Sequence, residues 1–184
     1  MLFQESKICH ELLDGLKGIE IGAGAHNPFG LNTINVDNCD VDSVSRRQQQ
    51  RLAGYYFPVD IIAPGDDIPV ADKSFDFVVS SHVIEHFLNP IKAIYEWSRI
   101  ARKYIVMIVP HKDRIFDRDR ELTNINEIID LFCQGAINDV DKHHHTFTPL
   151  NFKQLMDYLN FDCEIIDPDD KVGNGFLVII KISK

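Results

Sequence analysis

The residues best able to do binding chemistry lie in Gly18-Ile-Glu-Ile-Gly-Ala-Gly24 and Thr33-Ile-Asn-Val-Asp37. An apolar run leads into a Gly-x-Gly turn, and glycine there lets main-chain N–H groups come close to whatever lies above the strand end. A second short run ends on Asp37, whose carboxylate can accept hydrogen bonds from both hydroxyls of a ribose. Together they predict a nucleoside site. The ligand is not expected to carry a pyrophosphate. Asn27 stands where a Gly-x-Gly-x-x-Gly fingerprint has its third glycine, and Pro28 then compromises the helix whose N-terminus would hold the phosphates. Glu20, two residues before Gly22, would also repel a diphosphate. It suits a ligand with cationic groups.

A second set of residues can move protons. Histidine is the natural base at neutral pH, and His82, His86, His111 and His143 to His145 all fall on the expected ligand side. His111 leads because it follows the apolar run Tyr104–Val109 directly, where an open α/β sheet gathers its ligands. Its competing reading is a strand-end cap. For His82, Glu85 and His86 that reading is capping and packing at the start of the next helix. Asp113, Asp117 and Asp119 alternate with Arg114, Arg118 and Arg120, either to bind a polar or anionic molecule or as a solvated face. The histidine triplet invites a metal, with Asp139 or Asp141 as a further ligand. Consecutive side chains rarely converge on one ion, however, so no metal is expected and a substrate-facing loop is preferred.

These residues need elements to position them. Phe3 to Leu16 has the apolar spacing of a short amphipathic helix. Strands are expected at Gly18–Ile21, Thr33–Val36, Val59–Ile62, Phe75–Ser80 and Tyr104–Val109. The nearly unbroken Phe75-Asp-Phe-Val-Val-Ser80 has the pattern of a central parallel strand. A helix is expected over Asn89–Lys103, with Trp97 in the core alongside Phe75 and Phe77. Residues 42–53 read as a polar surface helix or loop. Thr148-Pro149 caps and opens a final helix, and strands at Cys163–Ile166 and Gly175–Ile182 close the chain as a hairpin. The predicted fold is α/β: a doubly wound, Rossmann-like, mostly parallel sheet with a C-terminal antiparallel hairpin. Residues 1–184 are expected to form one domain, with residues 111–147 as an insertion acting as a lid.

Bulk properties narrow the partners. A net charge of −9 disfavours nucleic acid. Only Arg46-Arg47 and the Lys112/Arg114/Arg118/Arg120 group offer a basic patch. Cys9, Cys39, Cys133 and Cys163 are scattered without a C-x-x-C pair, as in a reducing compartment. Neither a signal peptide nor a bilayer-length apolar stretch is visible. A cytoplasmic protein acting on a small or glycan-linked molecule is expected.

Glu20-Ile-Gly-Ala-Gly24, Asp37 and Ile68-Pro-Val-Ala-Asp-Lys-Ser-Phe-Asp-Phe-Val-Val-Ser-Ser-His-Val-Ile-Glu-His86 resemble a class I S-adenosylmethionine-dependent methyltransferase. The similarity is to the methyltransferase type 11 kind, including members associated with polysaccharide synthesis, and Val109-Pro-His-Lys-Asp-Arg114 resembles the end of strand five in that group. The sulfonium and amino group of S-adenosylmethionine are the cations that Glu20 suits. The resemblance implies that Glu20, Gly22, Ala23 and Gly24 flank the methionine portion and that Asp37 holds the ribose. Asp66, Asp67 and Ile68 would meet adenine, and Ser80, Ser81 and His82 would lie beside the methionyl group. Ala63-Pro64 replaces the family's usual Gly-Asp, so Asp60, Asp66 and Asp67 all stay open as the adenine contact. For a hydroxyl acceptor the expected bases are His111, His144 and His82. A non-catalytic S-adenosylmethionine- or S-adenosylhomocysteine-binding module is the main alternative. A nicotinamide-dependent oxidoreductase or epimerase lacks its Tyr-x-x-x-Lys pair.

Overall fold

Phe75–Ser81 and Ala101–Pro110 explain the centre of the molecule. Both are rich in β-branched and aromatic residues, and both are buried along almost their full length, as strands covered on two faces must be. The computed structural model describes residues 5–22, 29–38, 51, 54, 58–137 and 142–182. In chain order these include α1 (Lys7–Leu13), β1 (Gly18–Ile21), β2 (Thr33–Asp37), β3 (Ile61–Ile62), β4 (Phe75–Ser81), α2 (Pro90–Ile100), β5 (Ala101–Pro110), α3 (Ile125–Cys133), α4 (Pro149–Tyr158), β6 (Cys163–Ile166) and β7 (Gly175–Lys181). Short 3-10 turns cover Ile84–His86 and Lys112–Arg114.

The strands make one seven-stranded sheet in the order β3-β2-β1-β4-β5-β7-β6. β1 to β5 run parallel, and β7 inserts antiparallel between β5 and β6. Sequence order reverses between β1 and β4, which opens a crevice at their carboxyl ends. The predicted architecture is the observed one. One face of the sheet packs Trp97, Ile91, Ile94, Phe147 and Phe152, and the other packs Cys9, Leu13, Phe29 and Phe77.

Helix boundaries follow their caps. Asn89 accepts the Lys92 N–H at 3.1 Å, and Pro90 occupies the first turn. This start corrects the expectation that His82, Glu85 and His86 begin the helix: they precede it in the 3-10 turn and its approach. The helix also ends at Ile100 rather than Lys103. Ala101 already pairs with Phe75 in the sheet, and Arg102 and Lys103 each reach Asp76 at 3.3 Å. Of Val59–Ile62 only Ile61–Ile62 is strand. At α4, Thr148 and Asn151 satisfy each other's backbone N–H groups in a capping box. Residues 42–50, 52 and 53 of the expected polar segment lie outside the described residues, as do Cys39, Arg46 and Arg47.

Candidate active site

Glu20 sits near the end of β1 and is only 4% exposed. Thr33 donates to its Oε2 at 3.4 Å, while its Oε1 is buried without a hydrogen-bond partner among the described residues. Burial pushes its pKa up to about 7, although the charge of Lys171 acts in the opposite sense. Lys171 is itself buried, which lowers its pKa, and its ammonium lies 5.2 Å from the centre of the Phe29 ring. Among the described residues, one carboxylate oxygen therefore remains to be satisfied beside the turn. Gly22 follows with φ +67, and a Cβ there would lie 2.6 Å from Val83 Cγ2. No other residue fits this left-handed turn against Val83 without displacement. Ala23 and Gly24 lie outside the described residues.

The other expected cofactor residues gather along the same carboxyl edge. Asp37 ends β2, and its carbonyl accepts the Ala63 N–H at 3.1 Å. Ser80 and Ser81 end β4, both buried. The three acidic residues left open for adenine differ in what already holds them. Asp66 is buried and paired with Lys92 at 3.1 Å. Asp60 accepts the Asn35 N–H at 2.7 Å and so clips the loop to β2. Asp67 is exposed. Ile68 is in the core, and its N–H donates to Glu96 at 2.7 Å.

His82 and His111 meet on Asn174, a residue that leads into β7. The His82 Nε2 lies 3.1 Å from Asn174 Oδ1, and the His111 N–H donates to the Asn174 carbonyl at 3.0 Å. His82 also contacts Ser81 Oγ through Nδ1 at 3.0 Å and adopts φ +55, an uncommon conformation outside glycine. His111 Nδ1 accepts the Asp113 N–H at 3.2 Å, so the strand-end capping anticipated as its plain role is present.

The histidine triplet diverges. His145 is buried, its Nε2 is 3.1 Å from the Leu88 carbonyl, and burial pushes its pKa down to about 4. His144 donates its N–H to the Glu85 carbonyl at 2.8 Å and accepts from Arg120 through its own carbonyl at 3.2 Å. His143 turns toward Glu85 and His86. Its Nε2 is 3.8 Å from Glu85 Oε1, and so is the Nε2 of His86. Its Nδ1 is 2.5 Å from Asp117 Oδ2. Burial opposes ionisation of Asp117, but hydrogen bonds from His143 and Arg120 prevail and hold its pKa below the usual value. Glu85 is fully buried, neither of its carboxylate oxygens has a hydrogen-bond partner among the described residues, and burial raises its pKa to about 8.

Sequence reasoning missed this convergence. The sequence suggests capping or packing for Glu85 and a mixed charge run for Asp117. Asp117 is in fact buried, and Arg114 pairs with Asp167 rather than facing a ligand from a solvated surface. No sequence signal joins residues 85 and 143, since the pairing arises where the 3-10 turn meets the returning loop. Lys171 and Asn174 were likewise invisible, being brought in by the hairpin.

The fold is that of the class I methyltransferases. A S-adenosylmethionine-dependent methyltransferase from Aquifex aeolicus superposes with a TM-score of 0.60, covering 99% of this chain and 91% of that one at 16% identity. A possible histamine N-methyltransferase from Thermotoga maritima gives 0.59 at 17% identity, covering 94% and 84%. A S-adenosylmethionine-dependent methyltransferase from Methanosarcina mazei gives 0.55 at 14% identity, covering 97% and 98%. Residues 19–108 match the methyltransferase domain family. An uncharacterized protein of Methanocaldococcus jannaschii is 30% identical over 115 residues, covering 60% of this chain. The chain spans 50% of the length of that relative. In its matched residues and in its fold the chain is similar to S-adenosylmethionine-dependent methyltransferases. No helix among the described residues is long and apolar enough to cross a membrane.

Proposed function

We propose that the protein transfers a methyl group from S-adenosylmethionine to a hydroxyl of a small or carbohydrate-linked acceptor, as a cytoplasmic enzyme of polysaccharide synthesis. The observation that carries the cofactor half is the unsatisfied Oε1 of Glu20 at the sheet's switch point, beside a glycine turn too tight for a side chain. A buried carboxylate in want of a donor fits the ammonium of the methionine portion. In this reading Glu20, Gly22, Ala23 and Gly24 flank that portion, with Ser80, Ser81 and His82 beside it. Asp37 holds the ribose hydroxyls. Asp60, Asp66, Asp67 and Ile68 remain the residues we assign to the adenine side, with Asp66 paired to Lys92 and Asp60 to the Asn35 N–H.

When bound, the cofactor supplies a methyl carbon activated by its sulfonium. The chain's own residues must then align the acceptor and take its proton. His111, His144 and His82 are the bases we assign, in that order. The acceptor half rests on the sequence resemblance and on the acidic net charge of −9, which is unfavourable for a nucleic acid. Residues 111–147 serve as a cover over the acceptor side within a single domain. This is supported by the His144 and His145 N–H groups, which both donate to the Glu85 carbonyl next to the β4 end.

A methyl-transfer screen with isotopically labelled S-adenosylmethionine against nucleotide sugars and short glycans tests the proposal. The expected product carries a new O-methyl group. Binding of cofactor with no acceptor methylated would mark a non-catalytic module, and labelling confined to amines would overturn the hydroxyl assignment.

A further inference from the structure

Glu85 poses a problem that the cofactor does not solve. A buried carboxyl group with no hydrogen-bond partner for either oxygen among the described residues is costly, and native structures almost always supply a partner. Two imidazoles stand beside it. The Nε2 atoms of His86 and His143 each lie 3.8 Å from Oε1, and one ligand atom from each of the three residues falls within 4.8 Å of the others. A tetrahedral ion with bonds of about 2.0–2.2 Å has ligand edges of roughly 3.3–3.6 Å, so a small contraction closes the set.

We propose that Glu85, His86 and His143 form a binding site for a single divalent transition-metal ion beside the methyl-transfer centre. This departs from the sequence-based expectation of no metal. The objection to consecutive histidines stands, because only His143 of the triplet takes part and its co-ligands come from the turn after β4. Asp117 completes the arrangement. Its 2.5 Å contact with Nδ1 of His143 places the ring proton there and leaves Nε2 as the donor, as outer carboxylates do for metal-bound histidines. Arg120 in turn holds Asp117 at 3.0 Å. One carboxylate and two imidazoles suit zinc, manganese, iron or cobalt better than magnesium or calcium, which prefer all-oxygen sets.

Three protein ligands leave coordination positions for an oxygen from outside. Val83, two residues before Glu85, packs where a Cβ on Gly22 would fall, so the site adjoins the glycine turn. Resting on the methyltransferase reading above, the ion's role is to bind the acceptor hydroxyl and ease its ionisation. The acceptor O–H proton passes to a histidine base. The oxygen lone pair forms the new O–C bond to the methyl carbon as the C–S bond breaks, and that electron pair stays on sulfur, giving S-adenosylhomocysteine.

The test uses the full chain stripped with a chelator and titrated with Co²⁺, read by visible absorption, and with Zn²⁺, read by calorimetry. One equivalent is expected, with Co²⁺ bands in the region of low coordination number. His143→Ala and Glu85→Gln should each weaken binding at least tenfold, and Asp117→Asn by about 10–100-fold. His10→Ala, on the opposite face of the sheet, should change nothing and so controls for stray histidine binding. Glu85→Gln is the variant most exposed to misfolding, and His143→Ala, checked by thermal melting, decides the matter without it. Binding that is absent in the wild-type chain, or unchanged in His143→Ala, overturns the site. S-adenosylhomocysteine is titrated into the same stripped protein. Retained binding there, with no metal uptake, would sink the metal site alone and leave the methyltransferase reading standing.

Discussion

Glu20 gives the sharpest test at the scale of single residues. Its folded pKa of about 7 lies above the ordinary 4.5 because burial disfavours the charged form. The folded protein therefore holds a proton there that the unfolded chain releases. The stabilising contribution is complete below pH 4.5 and is lost as pH rises through about 7. Binding of a cationic group should show the reverse trend, since it requires the ionised carboxylate. Affinity for S-adenosylhomocysteine is expected to rise by up to about tenfold per pH unit on approaching 7 from below. Glu20→Gln should bind weakly with a flat profile between pH 5.5 and 8, and a wild-type profile equally flat would remove Glu20 from the cofactor site. Asp37→Ala should cost about 1.5–3 kcal/mol for each ribose hydrogen bond lost, measured by titration. Removal of the true base, with His111 tried first, then His144 and His82, should lower turnover about 10²–10⁴-fold at nearly unchanged cofactor affinity. Near-normal rates in all three variants would exclude histidine as the base.

At the scale of elements, the β6–β7 hairpin is what positions Lys171 near Glu20 and Asn174 between His82 and His111. Asp169 organises it by accepting the N–H groups of Lys171, Val172, Gly173 and Gly175 at 2.7–3.1 Å. Burial works against ionisation of Asp169, yet these bonds hold its pKa below the usual value. Asp169→Ala should therefore destabilise the fold by about 1–3 kcal/mol, read by denaturant unfolding, and weaken cofactor binding with it. A variant of unchanged stability would mean that the loop holds its shape without that carboxylate. The 111–147 segment is anchored by buried Asp117, Ile128, His145 and Phe147, while Phe116 and Ile137 remain largely exposed. Limited proteolysis is expected to cut between these anchors first, with protection by cofactor and acceptor together. Uniform resistance of the free protein would contradict a mobile cover.

Across the whole molecule, legibility in the sequence tracked the range of the interactions. The parallel core was readable because β4 and β5 are buried along most of their length and carry nearly unbroken apolar runs. The glycine turn and Asp37 were readable because each is a local pattern tied to a strand end. Helix limits were less so. Ala101 continues the apolar spacing of α2, yet its pairing with Phe75 and the charges of Arg102 and Lys103 meeting Asp76 draw residues 101–103 into β5. The Glu85–His86–His143–Asp117 cluster was not legible, since it joins residues far apart in the chain through a loop path that no local pattern encodes.

The central claim is that the crevice between β1 and β4 takes a methyl-donor nucleoside rather than a dinucleotide. Calorimetric titration of the full chain with S-adenosylhomocysteine and, separately, with NAD addresses it most directly. Saturable binding of S-adenosylhomocysteine that weakens in Asp37→Ala, with no heat from NAD, is the predicted result. Heat from NAD with none from S-adenosylhomocysteine would contradict the account at its base.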